Sequence, residues 1–354
     1  MASSSTTTNA IPNGVTGDKR KRDDDDDSSA PPPPLLPPPS HGLDSAVYSS
    51  TGTRATQEDR HIIIEDGWSG VDGATSSWPT CRFFGIFDGH SGDAAAELAA
   101  TALWPALQSK LAELLKSQAP PLAPAAIESA MRDAFASTDE RVVSEAGSSG
   151  STATVALVLG AALCVANLGD SRTVLCRSER KYWETSDHKP DEPRERQRIE
   201  AAGGHVSTPR AEGQINVPRL NGVLSVSRGL GDAMFKQPAE AANGNGGGGD
   251  GNGGGGDGTP LLSAEPEITH RTISRFDEFL LLASDGLFDV MSSSYAVEIA
   301  RNVVIKKERG VGAVQKTLKE KCQGACDMLV RSVVHSGHCS DNVTVVLALL
   351  NEPD

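Results

Sequence analysis

The chain has 354 residues, 38% of them hydrophobic, enough for one large or two ordinary domains around a buried core. Its formal net charge of −14 argues against a general binder of nucleic acid or of an anionic membrane surface, because a phosphate backbone demands a basic stripe. No apolar run approaches the roughly 20 residues of a membrane span, and the N-terminus lacks a signal-peptide apolar region, so a protein neither inserted nor secreted is expected.

Residues 1–42 read as a tail that cannot pack: a Ser/Thr tract over Met1–Asn9, the basic block Lys19–Arg22, the acids Asp23–Asp27 and the prolines Pro31–Pro39. The basic block is readable either as a nuclear localisation signal or as a solvated charge run. The acidic run counts against an organelle transit peptide, which leaves cytoplasm and/or nucleus. Cysteines 81, 164, 176, 322, 326 and 339 are scattered through apolar segments, the usage of a reducing compartment, and no disulfides are expected.

A single domain is expected over 43–354. Its first acidic point is Glu58-Asp59, and the apolar run Phe84–Phe87 ends abruptly in Asp88-Gly89-His90. Ser91–Ser117 and Ala125–Glu145 carry apolar residues at helical spacing, with Pro105 marking a kink or break in the first and Pro124 starting the second. Thr152–Leu159, Ala162–Asn167 and Thr173–Arg177 are strands joined at Gly160 and at Gly169-Asp170, which predicts hairpins or a meander. The glycine quartets of 243–258 lack the interleaved apolar position of a calcium-binding repeat and read as a flexible surface loop. Leu280–Ala283 then ends in Ser284-Asp285-Gly286. A second helix pair, Tyr295–Glu308 and Val311–His335, precedes Asp341-Asn342 and the strand Val343–Leu350. Clustered strands flanked by helix pairs predict an α+β sandwich with two central sheets, its acid-bearing tips at one edge.

Taken singly, an Asp-Gly after an apolar run is a turn. Its recurrence at Asp88 and Asp285, and in mirrored order at Asp341, points to a polynuclear metal centre, because hard divalent ions need oxygen ligands on rigid elements. His90, two residues from the first acid, is the candidate general acid, since imidazole titrates near working pH; the bland alternative is a packed or capping histidine. Cys322, Cys326, His335, His338 and Cys339 hold zinc-ligand types, but their spacing matches no compact zinc module and they read as helix residues. Cys164 and Cys176 read as core thiols, and His61, His188, His205 and His270 have no acidic constellation of their own.

The set Arg54-Ala55-Thr56-Gln57-Glu58-Asp59, Phe87-Asp88-Gly89-His90-Ser91-Gly92, Ser149–Ala153, Asn167–Arg172, Leu224–Asp232, Ser284–Val290 and Ser340–Thr344 resembles the type 2C, metal-dependent Ser/Thr protein phosphatases, in the style of plant members. The motifs follow the family's order over roughly Val47 to Leu350. The resemblance implies a monomer on a four-layer αββα sandwich with two antiparallel β-sheets in the middle, acting on phosphoprotein substrates, with kinases as further partners. It implies that Asp88 bridges two Mg²⁺ or Mn²⁺ ions, that Asp88 and the Gly89 carbonyl serve one, and that Asp285 and Asp341 serve the other. Glu58 and Asp59 would act through bound waters, and Asp170, Asp285 and Asp289 would form a weaker third position. Arg54 corresponds to the arginine that grips the substrate phosphate, which suits a guanidinium fork.

Phosphomonoesters carry close to two negative charges and repel a nucleophile; two metals neutralise that charge and lower the pKa of the water bridging them. That hydroxide-like water would attack phosphorus in line while His90 protonates the departing alkoxide, with no cysteine nucleophile. Catalytically silent pseudophosphatases acting as binding adaptors are the alternative, and the presence of every ligand point, Arg54 and His90 counts against it. Between Lys189 and Val223 lies the stretch that forms a flap over the cleft in this family. None of Trp68, Trp78, Trp104 and Trp183 falls there, so partnership with a hormone receptor is not expected.

Overall fold

Every residue of strand β3 (Cys81–Phe87) is buried, because both faces of the strand are covered. Phe83 and Phe87 join an apolar cluster with a helix pair, whereas Phe84 and Ile86 join a cluster shared with a second sheet. The computed structural model describes residues 44–208, 216–236, 258–305 and 316–352. The first sheet runs β13 (Glu267–Thr272), β7 (Ala162–Leu168), β6 (Ala153–Leu159), β3 and β2 (Arg60–Ile64). The second runs β1 (Ser45–Ser50), β15 (Val343–Leu349), β14 (Asp277–Ala283), β8 (Arg172–Arg177) and β9 (Lys181–Glu184). Neighbours in both sheets are antiparallel.

Helices α1 (Ala94–Ser117) and α2 (Pro124–Glu145) pack on the first sheet through Leu103, Leu107, Met131 and Phe135. Two later helices, α5 (Ser293–Val304) and α6 (Leu318–Val334), pack on the second through Val297, Leu329 and Val333. Between the sheets lie Phe84, Ile86, Val158, Val165, Leu280, Leu282 and Val346. Alternation therefore sends Leu280 and Leu282 between the sheets and Phe279 and Leu281 toward the helices. Each such side chain contributes about 1.5–3 kcal/mol by leaving water. The layers are αββα, as the sequence predicts.

Four local expectations change. Helix α1 starts at Ala94 and not at Ser91, because Ser91 and Gly92 have φ of 58° and 108° and cannot enter a right-handed helix. It then runs unbroken through Pro105. Strand β8 does not continue a meander with β6 and β7. Gly169, at φ 102°, turns the chain out of the first sheet, and β8 pairs with β14 and β9 in the second. The hydroxyls of Thr154 and Thr173 meet at 2.7 Å across that change of sheet. Helix α6 begins at a capping box formed by Thr317 and Glu320, so the expected start at Val311 is not seen; residues 311–315 lie outside those described. The expected tail over 1–42, most of the insert 243–258, and the end of the Tyr295–Glu308 helix also lie outside the described residues.

Helix α3 (Pro193–Ala201) and the hairpin of β10 (Val206–Ser207) and β11 (Arg219–Leu220) form the flap segment. A small cluster of Ile199, Leu220, Leu224, Phe235 and Leu262 gives it a core of its own. A three-stranded ladder of two-residue pieces lies beside the first sheet: β12 (Leu230–Gly231), β5 (Gly150–Ser151) in the centre, and β4 (Gly89–His90).

Candidate metal centre

Strand pairing decides where the acids go. Ile86 pairs with Thr154, Leu168 with Ala153, and Ala283 with both Val345 and Arg172. The end of β3, the end of β7, the end of β14 and the start of β15 therefore lie at one end of the sandwich. Asp88 follows β3, Asp170 follows β7, Asp285 opens the short helix α4 (Asp285–Phe288), and Asp341 precedes β15. Arg54, Glu58, Asp88, Gly89, His90, Asp170, Asp285 and Asp341 line one cleft of about 320 Å³. Gly286 lets the two sides close: a Cβ there would overlap the carbonyl oxygen of Asn342.

Two expected residues stand outside this lining. Asp59 is buried, and its Oδ2 accepts from Ser284 Oγ at 3.0 Å and from Thr344 Oγ1 at 2.7 Å. Its Oδ1 is buried with no hydrogen-bond donor, although Asp88 is within reach. Asp289 is exposed and joins the group through Lys189, whose Nζ lies 3.3 Å from Asp289 Oδ1 and 3.4 Å from Asp170 Oδ2.

The electrostatics are those of crowded negative charge. Burial first, then the charges of Asp59, Asp285, Asp170 and Asp341, push the Asp88 carboxyl well up. Burial and the charges of Asp170, Asp289 and Asp341 do the same to Asp285. Asp170 is raised by burial, with Lys189 pulling the other way. Burial lifts Asp59 to about 6, against the hydrogen bonds from Thr344 and Ser284. Arg54 donates from Nη2 to Asp341 Oδ2 at 2.7 Å and from Nε to the Ser340 carbonyl at 2.9 Å.

Among the described residues no three His, Cys, Asp or Glu side chains close into a tight cage. The carboxylates ring a shared cleft instead. An oxygen-only set of this kind, with the Gly89 backbone at the lining and an orphaned Asp59 oxygen behind it, suits Mg²⁺ or Mn²⁺, which keep several waters. The residues fit such ions.

Several contacts at the site involve residues given no role from the sequence, although Asn342, Thr152, Ser225, Val226 and Asp232 lie inside the motifs that carry the resemblance. Asn342 Oδ1 accepts from the Glu58 backbone N–H at 2.8 Å, and Glu58 Oε2 accepts from the Gly92 N–H at 3.1 Å. His188, given no role from the sequence, accepts from the Gly169 N–H at 3.2 Å and so steadies the turn that carries Asp170, while its Nε2 lies 3.6 Å from Glu267 Oε2. Thr152, Arg219, Ser225 and Val226 also line the cleft, the last three from the flap side. Asp232 Oδ2 lies 2.8 Å from His90 Nε2. The zinc-type residues divide: Cys322 and Cys326 are buried in the core of α6, while His335 and His338 are exposed.

A family model described as "Protein phosphatase 2C" matches residues 43–334. "Probable protein phosphatase 2C 59" of Oryza sativa subsp. japonica is 34% identical over 308 residues, covering 84% of this chain and 78% of that protein. "Probable protein phosphatase 1N" of Homo sapiens is 36% identical over 263 residues, covering 72% of this chain and 52% of that protein. Among solved structures, the serine-threonine phosphatase 2C from Toxoplasma gondii superposes with a TM-score of 0.67 at 25% identity, covering 89% of this chain and 97% of that one. The chain belongs to the protein phosphatase 2C family, the metal-dependent serine/threonine protein phosphatases.

Proposed function

We propose that this chain hydrolyses phosphoserine and phosphothreonine in proteins, using two Mg²⁺ or Mn²⁺ ions at the carboxylate cleft. The observation that carries the proposal is the convergence of Asp88, Asp170, Asp285 and Asp341 with Arg54 and His90 on one cleft. Divalent ions bound there would neutralise the phosphate's charge and lower the pKa of water in the cleft. Asp88 would bridge the two ions, with the Gly89 carbonyl, Asp285 and Asp341 as further ligands and Glu58 and Asp59 acting through waters. Asp170, Asp285 and Asp289 would hold a weaker third.

Arg54 sits at the mouth of the cleft with a side chain 57% exposed, free to turn its fork from Asp341 to phosphate oxygens. His90 donates a proton to the serine or threonine oxygen as that oxygen departs opposite the attacking water. The catalytic domain is assigned to 43–354, with 1–42 as a tail and 243–258 as an insert. Phosphoproteins, and kinases that carry phosphate in their own loops, are the partners, with no role for nucleic acid or membrane. Cytoplasm and/or nucleus is the assigned location, supported by six free, buried thiols. A monomer is supported by large exposed apolar side chains that are only scattered among the described residues, Val223, Met234, Phe276, Tyr295 and Met328.

Turnover of phosphoserine and phosphothreonine peptides by wild type beside Asp285→Asn tests the proposal. Turnover in wild type and its loss in the variant are expected. Equal turnover in both would overturn the assignment of the cleft, and no turnover in either would favour the silent adaptor.

A further inference from the structure

The three-stranded ladder brings an unassigned carboxylate to His90. Gly150 pairs with His90 on one side and with Gly231 on the other, so the residue after Gly231 meets the imidazole across a glycine. That residue is Asp232, whose Oδ2 lies 2.8 Å from His90 Nε2. Its side chain is 5% exposed against 28% for His90, so the pair has a buried end and an end open to the cleft. Gly150 cradles the contact: a Cβ there would overlap both Asp232 Oδ2 and His90 Nε2.

Asp232 is also held in an unfavourable conformation. Its φ of 52° and ψ of 51° are left-handed, a conformation that a non-glycine residue keeps where its surroundings over-determine it. They do so here. The Asp232 N–H donates to the Ser149 carbonyl at 3.1 Å. On α2, Asp139 accepts from the Gly231 N–H at 2.8 Å and pairs with Lys236 at 3.1 Å, while Lys236 donates to the Gly229 carbonyl at 2.6 Å. Both ends of the 229–236 turn are thereby fixed to one helix.

We infer that Asp232 is the positioning residue of the general acid, and that His90 Nδ1 is the nitrogen that serves the leaving group. The inference rests on the phosphatase reading above. With Nε2–H donated to a buried carboxylate, the ring orientation is set and Nδ1 is the nitrogen left toward the cleft. A bond forms between phosphorus and the water oxygen as the bond to the serine or threonine oxygen breaks. The departing oxygen keeps that electron pair and takes the Nδ1 proton, and the water's proton passes to solvent. Imidazole is left neutral, its Nε2–H still on Asp232, and regains a proton at Nδ1 through the open cleft.

The test compares kcat/KM for phenyl phosphate, a poor leaving group, with that for p-nitrophenyl phosphate, a good one, in Mn²⁺. The proteins are wild type, His90→Ala, Asp232→Asn, the double variant and Gly150→Ala. Asp232→Asn is expected to lose about 10–100-fold on phenyl phosphate, clearly less on p-nitrophenyl phosphate, and nothing further when combined with His90→Ala. Gly150→Ala separates the pair with both groups intact, so it should show the same leaving-group pattern, and it carries the test if Asp232→Asn fails to fold. Equal losses on both substrates in Asp232→Asn and Gly150→Ala, beside a leaving-group effect in His90→Ala, would overturn the inference alone. No leaving-group effect in His90→Ala would overturn the acid assignment and the inference with it.

Discussion

Asn342 ties the two sides of the cleft together through Glu58: its Oδ1 accepts from the Glu58 N–H at 2.8 Å. Its Nδ2 donates to the carbonyls of Thr51 and Thr56 at 3.1 and 2.9 Å. The loop that carries Arg54 and Glu58 is therefore clamped to the residue beside Asp341. Asn342→Ala is expected to lower Mn²⁺ affinity or turnover by about 10–100-fold while the fold persists, a typical cost for a residue that orients ligands. Titration of activity against Mn²⁺ checks this, and an unchanged midpoint with unchanged turnover would contradict it.

Crowding of Asp88, Asp170, Asp285 and Asp341 works against the fold when no cation is bound. In chelator, Asp285→Asn is expected to melt higher than wild type, by about 2 °C or more, because one repelling charge is gone. Wild type should gain about 2.7 kcal/mol at Mn²⁺ a hundredfold above its Kd, and the variant much less. Thermal melts with and without Mn²⁺ decide it; a variant that melts lower in chelator would show that the carboxylates do not repel.

Glu195, 3% exposed on α3, anchors the flap. Burial raises its carboxyl, but the hydrogen bond and charge of Arg228, the Ser227 hydroxyl and the charge of Arg198 together bring it down to about 2. Arg228 Nη2 lies 2.6 Å from Oε1, and Ser227 Oγ donates to Oε2 at 2.8 Å. For a depressed carboxylate the stabilisation is complete above the ordinary value of 4.5 and is lost as pH falls through about 2. Glu195→Gln should cost on the order of 3 kcal/mol at neutral pH, with the gap to wild type roughly halved near pH 3. Urea unfolding at both pH values measures it, and a gap independent of pH would contradict the depressed carboxyl.

The acid-bearing tips were legible because an apolar run that ends in Asp-Gly at Asp88 and again at Asp285 serves no packing purpose. The helix pairs were legible from spacing, and the buried strands from their unbroken apolar runs. The sheet change at β8 was not, since Thr173–Arg177 has the same pattern whichever sheet receives it, and only pairing with β14 decides. The role of Asp232 was hidden for a related reason, although the residue ends the Leu224–Asp232 motif. Its contact with His90 depends on three two-residue strands meeting across Gly150, and such short ladders leave no periodicity.

All six cysteines are free and buried, and burial pushes the thiols of Cys164 and Cys322 up to about 12. None is poised as a thiolate nucleophile. Brief treatment of the native protein with iodoacetamide is expected to leave turnover unchanged, and inactivation by it would contradict a mechanism without cysteine.

The most direct test of the central claim is phosphate release from a phosphothreonine peptide by the full chain with Mn²⁺, with Mg²⁺, with chelator, and with Mn²⁺ restored after chelation. Release with either ion, loss in chelator and recovery on adding Mn²⁺ are the predicted results. Release that persists in chelator, or none with either ion from a folded protein, would contradict the account.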